Sequence, residues 1–227
     1  MAVLRWSLLS LALLSCDGMG SEPKASPAPA ETSSNKRSEG DEPPVTYVLT
    51  VGDQKISLVE GQRVRLQGSF EDPEVMLAAE PHRTFANAGI SFRYPRAFGF
   101  DASLSDPASR SWSLSGNDAK IMYFVIAGPV TVAEFAQGLT SQFGKENVET
   151  TEAETRLTLG RETLVGMSLR VTLAATPMSI SVYRVPLEGP ETRLLVLQNS
   201  LGATHAPSSE GQEALALLKA SFALTRE

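Results

Sequence analysis

Cysteine is nearly absent: this chain of 227 residues contains one, Cys16. No disulfide within the chain is open to it, so ordinary packing must hold the fold. Histidine is almost as scarce, with only His82 and His205. Neither stands at ligand spacing from a second His, a Cys or an acid, so a metal centre would need carboxylates brought from afar. The N-terminal apolar run, Trp6 to Leu14, would rise only about 14 Å as a helix, against a hydrocarbon core of about 30 Å. It is too short to span a membrane. A basic excess is also missing: 20 Lys and Arg face 26 Asp and Glu, for a formal net charge of −6. That balance argues against a nucleic-acid partner and against electrostatic docking on anionic lipid. There is no G-x-S-x-G elbow, no P-loop, and no S-x-x-K with the partner motifs of penicillin-binding enzymes.

What is present begins with an export signal. Residues 1–5 carry one positive charge, Arg5, ahead of the apolar run, and the run ends in Leu13-Leu14-Ser15-Cys16. A short apolar segment behind a basic start reads as a cleaved signal peptide, residues 1–15. The last four residues resemble the lipobox of bacterial lipoproteins. The resemblance implies cleavage before Cys16, a diacylglycerol on its thiol and a further acyl group on its amine. The bilayer is then a partner through acylated Cys16, in a bacterial cell envelope. Asp17 resembles an inner-membrane retention signal of some lineages but does not decide between inner and outer membrane. Two blander readings stand beside this one: a secretory signal cut near Gly18 or Gly20, and a cytosolic chain with an apolar start. The first leaves an unpaired thiol in an oxidising compartment, which lipidation avoids.

Residues 16–44 are rich in Ser, Pro, Ala, Glu and Gly, with no large apolar residue between Met19 and Val45. Such a composition does not bury enough apolar surface to order itself, so the segment reads as a disordered tether. Its reach as a flexible coil is about 30 Å. With six acids and three bases in the tether and Arg5 in the signal, residues 45–227 keep 20 acids and 16 bases, a net of −4.

The remainder reads as one core preceded by residues 45–83, which form a small β subdomain or a β extension of the main sheet. Thr46 to Val51, Lys55 to Val59 and Arg63 to Leu66 alternate as a short meander with one buried face, and Glu74 to Ala79 is a further strand or a turn of helix. From Thr84 a second set begins. Ile90, Phe92 and Tyr94 share one strand face, and Trp112 and Leu114 alternate with serines. Lys120 to Ile126 reads as a central strand buried on both faces. Thr131 to Gly144 is the clearest helix, with Thr131 and Glu134 forming a capping box and Gly144 a left-handed stop. Thr155 to Leu159 and two alternating strands around Ala174 to Pro177 follow. Pro186 to Pro190 turns the chain into the buried run Leu194 to Leu197. A loop from Asn199 to Ser208 leads to a last helix capped by Ser209 and Gln212, with Leu215, Leu218 and Phe222 as its seam.

Gly89-Ile90-Ser91-Phe92-Arg93-Tyr94-Pro95, then a central helix, antiparallel strands and a closing helix ending Ala220-Ser221-Phe222, resemble the PsbP-like proteins of the thylakoid lumen and their bacterial lipoprotein relatives. The resemblance covers residues 84–227. The chain departs from it after Pro95, where Arg96-Ala97-Phe98 stands in place of a serine and tryptophan. It implies an α+β domain, an antiparallel sheet flanked by helices as an α/β/α sandwich. It also implies a binding or assembly role without an active site, with no cofactor and with a protein partner in the envelope.

The candidate surface residues are His205, in the loop before the last helix, and Arg96 and Arg110. These arginines, with Arg83 and Arg93, lie near Phe85, Phe98 and Trp112, a composition common at interfaces. The same pattern arises when aromatics fill a core and arginines line the solvent side of the same strands, and the alternation Phe92-Arg93-Tyr94 favours that. Two function classes follow. One is a non-enzymatic binding or assembly module; the other is a small envelope hydrolase whose site carries no sequence motif. The surroundings of His205 discriminate between them, since a base needs an orienting carboxylate and a nucleophile within reach.

Overall fold

Alternation of apolar and small polar residues runs through most of the chain, and the structure is accordingly built of strands. The computed structural model describes residues 38–66, 68, 73–202 and 204–225. The signal peptide, Cys16 and the tether up to residue 37 lie outside the described residues. The strands are β1 (Thr46–Val51), β2 (Gln54–Val59), β3 (Val75–Ala79), β4 (His82–Asn87), β5 (Ile90–Pro95), β6 (Gly99–Ser103), β7 (Ser109–Ser115) and β8 (Ala119–Ala127). Helix α1 (Val132–Phe143) and a 3₁₀ turn precede β9 (Val148–Leu159), β10 (Glu162–Leu173), β11 (Thr176–Arg184) and β12 (Glu191–Ser200). Helix α2 (Ser209–Ser221) and the two-residue β13 (Ala223–Leu224) close the described chain.

Seven strands form the main antiparallel sheet in the order β6-β7-β8-β12-β11-β10-β9. One face packs on α1: Ile126, Val171, Ile180, Val182, Leu194 and Val196 meet Phe135, with Val132, Leu139 and Phe143 beside it. The other face meets a second sheet, β13-β5-β4, together with α2. There Trp112, Leu114, Ile121 and Tyr123 lie against Phe85, Ile90, Phe92 and Tyr94, and α2 adds Ala214 and Leu218. Phe85 centres the contact. Its ring is 5.0 Å from Phe92 and 6.1 Å from both Trp112 and Tyr123, edge-on to the last two.

The expected α/β/α sandwich is overturned. Helix is confined to 12 residues of α1 and 13 of α2, against thirteen strands among the described residues. The layer opposite α1 is not helical: β4 and β5 fill most of it as a sheet of their own. The reason lies in their side chains. Phe85, Ile90, Phe92 and Tyr94 supply as much buried apolar area from two short strands as a helix would, and β-branched and aromatic residues suit strands better. The fold is β-rich.

The N-terminal segment forms a third sheet, β2-β1-β3. Its third strand is β3. Arg63 to Leu66, read as a strand, has no regular structure, and Val64 between its two arginines is exposed. The last residues of the stretch read as tether also rest on the domain. The Trp112 Nε1–H donates to the Glu39 carbonyl at 2.8 Å, Arg83 pairs with Glu42, and Pro43 is buried.

Local signals that do not depend on partners hold. In α1 the Glu134 N–H donates to Thr131 Oγ1 at 3.1 Å, and Glu134 Oε2 accepts from the Thr131 N–H at 2.8 Å. Gly144 ends the helix at φ 87°. β8 alternates between the two cores as expected, with Ile121, Tyr123 and Val125 on one side and Ile126 on the other. β9 carries an irregularity: opposite Gly166, Ser168 and Leu169 of β10 its register shifts twice, each time with one extra residue on β9. A bulge of this kind bends the pair, and Leu157, Leu159 and Leu164 thereby join the core around Phe85.

Two predictions follow from local backbone and charge. The β10–β11 hairpin closes between Leu173 and Thr176 through Ala174 at φ 47° and Ala175 at φ 66°. Both positions ask alanine for the left-handed conformation that Asn and Gly adopt at lower cost. Replacing Ala174-Ala175 with Asn-Gly should raise stability by about 1 kcal/mol in urea unfolding. The second concerns Glu134, whose carboxyl is held below its ordinary range by the Thr131 backbone and side-chain hydrogen bonds. A depressed pKa contributes stability above the unfolded value and loses it as pH falls through the folded one. Amide exchange across α1 should be slower in the wild type than in Glu134→Gln at neutral pH, and the difference should close once the pH falls below the ordinary carboxylate range.

Candidate functional site

Helix α2 is placed by its first turn. Ser208 is its N-cap, one residue earlier than the sequence indicates, and its hydroxyl oxygen accepts from the Gly211 N–H at 3.0 Å. Asn199, at the end of β12, fixes that cap: its Oδ1 accepts from the Ser208 N–H at 3.1 Å and from the Ser208 hydroxyl at 2.9 Å. A Cβ on Gly211 would fall 1.5 Å from Asn199 Nδ2, so only glycine lets the helix approach this closely. Beside it, Glu210 receives the β7–β8 turn. Its carboxylate accepts from the N–H groups of Asn117 at 3.1 Å, Asp118 at 2.6 Å and Ala119 at 2.9 Å. At the far end Ser221 Oγ accepts from the Arg93 N–H at 2.7 Å, and the Gly160 N–H donates to the Lys219 carbonyl at 3.1 Å.

Pinned at both ends, α2 stands over the bent part of the main sheet and leaves a cleft of about 200 Å³. Its walls are Ile121, Leu157, Leu197, Leu215 and Leu218. The rim carries hydroxyls and amides: Ser179, Ser181, Gln198 and Gln212, with Lys120 and Tyr183. Ser181 Oγ lies 2.8 Å from Ser168 Oγ on the next strand. Chemically this suits an apolar body with a polar end, since apolar walls with a few hydrogen-bonding groups fix a ligand's orientation. The phenols of the core do not alter that. Burial pushes Tyr94 up to about 12 against the nearby Arg83 charge, and pushes Tyr123 upward too. Both stay protonated at neutral pH.

The sequence-derived candidates do not meet at this cleft. Cys16 lies outside the described residues. His205 is exposed at φ 58°, its backbone N–H donates to the Gly202 carbonyl at 2.8 Å, and its ring has no partner among the described residues. Among the described residues no carboxylate or serine is paired with that ring. Arg96 is exposed, with its backbone N–H on the Pro81 carbonyl at 2.9 Å. Arg110 is engaged internally: it pairs with Glu39 at 3.0 Å and Glu191 at 3.1 Å and lies 5.9 Å from the Trp112 ring. It clamps residues 38–43 rather than serving a free surface. His82 opens β4, half-buried, with Nε2 3.1 Å from Glu80 and 3.2 Å from Arg93. Among the described residues no three His, Cys, Asp or Glu side chains stand together as a metal site, and no helix is long and apolar enough to cross a membrane.

The cleft was missed by sequence reading because its members are spread over β8, β9, β11, β12 and α2. Only Gly211 gave a local signal, a glycine inside a helical pattern.

No family model matches the chain, and no curated protein does. The resemblance to PsbP-like proteins therefore stands on its sequence elements alone. Among solved structures, LpqN, involved in cell envelope biogenesis of Mycobacterium tuberculosis, is similar at a TM-score of 0.35 and 12% identity, over 64% of this chain and 91% of that one. A likeness at that level carries no function from one protein to the other.

Glu210 offers a direct check of how α2 is held. Glu210→Ala leaves three N–H groups of the 117–119 turn without their acceptor and should cost about 2 kcal/mol in urea unfolding. Glu210→Gln, which keeps one acceptor oxygen, should cost clearly less.

Proposed function

We propose that the chain is a lipid-anchored, non-enzymatic binding module of the bacterial cell envelope, tied to the bilayer through acylated Cys16. The observation that carries the binding role is the cleft between α2 and the bent sheet. Aliphatic walls with hydroxyl and amide groups among the lining match what a holding site needs. The anchor rests on sequence: an apolar run too short to span, Leu13-Leu14-Ser15-Cys16, and a polar stretch behind it. Acyl chains bury many methylenes at about 0.8 kcal/mol each, so two or three of them hold the chain on the membrane without help from its acidic domain. The tether then sets how far from the bilayer the cleft works. An envelope protein is the partner class this placement favours.

The test has two arms. Labelled palmitate should enter the wild-type chain and sediment with membranes, and Cys16→Ser should lose both; a wild type cleaved beyond Cys16 and recovered soluble overturns the anchor. For the cleft, Nile red should bind the full chain at a single site. Leu215→Trp on α2 and Ser179→Trp on β11, which fill the space from opposite walls, should each abolish binding with the far-UV spectrum unchanged. Unaltered dye binding in both variants overturns the cleft as the holding site.

A further inference from the structure

The chain manages its sheet edges unequally. Exposed edges invite pairing with other chains, and proteins blunt them with charge. Here β9 carries Glu149, Glu152, Glu154 and Arg156, β6 carries Asp101, β4 carries Arg83, and β2 carries Lys55. β3, with the sequence Val75-Met76-Leu77-Ala78-Ala79, carries none. Among the described residues it lies at one edge of its sheet with β1 as its only neighbour, and Val75, Met76 and Leu77 are 59%, 56% and 60% exposed. Three consecutive large apolar residues so far in the open are unusual on a strand, whose alternation normally turns every second one inward.

The hydrogen-bond phase shows which backbone groups are free. The Glu80 N–H donates to the Thr46 carbonyl at 2.8 Å, and the Gly52 N–H donates to the Glu74 carbonyl at 3.0 Å. In an antiparallel ladder every second residue is bonded to the same neighbour. The even-numbered residues of β3 are therefore spent on β1. The N–H and C=O groups of Val75, Leu77 and Ala79 face outward.

We propose that this edge receives an extended, apolar segment of a partner protein with basic residues at both ends, which adds a fourth strand to the sheet β2-β1-β3. Charge selects the occupant. Glu74 and Glu80 bracket the strand; Glu74 is exposed with no partner among the described residues, while Glu80 reaches His82 at 3.1 Å. A second copy pairing antiparallel about Leu77 would set Glu74 directly opposite Glu80 of the other copy, twice, and like charges facing each other across a ladder destabilise it. Residues 45–227 also carry a net of −4, which disfavours self-association and favours a cationic visitor. Strand addition of this kind draws affinity from main-chain bonds and specificity from the flanking side chains. This inference does not depend on the cleft under α2, which belongs to other elements.

The test uses the full chain and two dye-labelled peptides of alternating valine and threonine, one with lysine at both ends and one with glutamate. The lysine peptide should bind and slow amide exchange at Val75, Leu77 and Ala79, and the glutamate peptide should bind about tenfold more weakly. Leu77→Pro removes an outward N–H while leaving the ladder to β1, so it should abolish peptide binding with the amides of Val48 and Thr50 still protected. Glu74→Lys, which does not touch the backbone, should reduce or reverse the preference between peptides. Equal binding of the two peptides, or binding without protection at Val75, Leu77 and Ala79, overturns the proposal. So does a dimer in sedimentation that Leu77→Pro dissolves, which would assign the edge to a second copy.

Discussion

The packing of Phe85 against Phe92, Trp112 and Tyr123 is the contact on which the two principal sheets depend. Phe85 and Phe92 belong to the small sheet, Trp112 and Tyr123 to the large one, and Trp112 stacks on Tyr123 at 5.8 Å. Aromatic pairs of this geometry contribute about 0.5–1.5 kcal/mol each beyond the area they bury. The polar ends of the rings are also used. Tyr123 donates its hydroxyl to the Ala88 carbonyl at 2.9 Å, at the β4–β5 turn, and Trp112 donates to Glu39. One cluster thus sets the distance between the sheets, fixes the β4–β5 turn and fastens the segment that leads in from the tether.

That dependence explains which parts of the fold were legible in the sequence. The alternation Ile90-Phe92-Tyr94 and Trp112-Leu114 marked inward faces correctly, because period-two patterning is local. The capping box at Thr131 and Glu134 and the glycine stop at Gly144 placed α1 to within a residue. What sequence did not show was that β4 and β5 would leave the main sheet and become a layer of their own. Strand patterning states which side of a strand is buried, not which sheet it joins, and the second helical layer was inferred where aromatic strands do the covering. The same limit hid the first part of β9. Thr155 to Leu159 stood out, but Glu149, Glu152 and Glu154 ahead of it gave no strand signal, since an edge strand with one exposed face and a charged border has little apolar alternation to show.

The cleft was less legible still, because it arises from a bend. The register shift around Gly166 and Ser168 lets the β9–β10 end curl toward α2, and Gly160 meets the end of that helix so closely that a Cβ would lie 2.9 Å from the Phe222 carbonyl. Gly166 itself lies under Val182 and Tyr183, where a Cβ would come within 2.1 Å of the Val182 carbonyl. Gly160 also opens the two-residue turn between β9 and β10, at φ 57°. Gly166 stands in no turn and is explained only by what approaches it in space. The arginine–aromatic cluster shows the converse. Its composition is common at interfaces, but the alternation Phe92-Arg93-Tyr94 favours a core reading, and Phe85, Phe98 and Trp112 are indeed core, while Arg110 and Arg83 hold Glu39 and Glu42.

Arg83 and Arg110 also act together on one short segment. Residues 38–43 run over the domain through Arg110, Trp112 and Arg83, on the side where β7 and β8 carry Trp112 and Tyr123, so this stretch is fastened before the chain reaches β1. Exposed ion pairs are weak singly, but here they share one short segment with an indole hydrogen bond and the buried Pro43. The segment is positioned by the same side chains that build the core, and its attachment is as strong as that core allows.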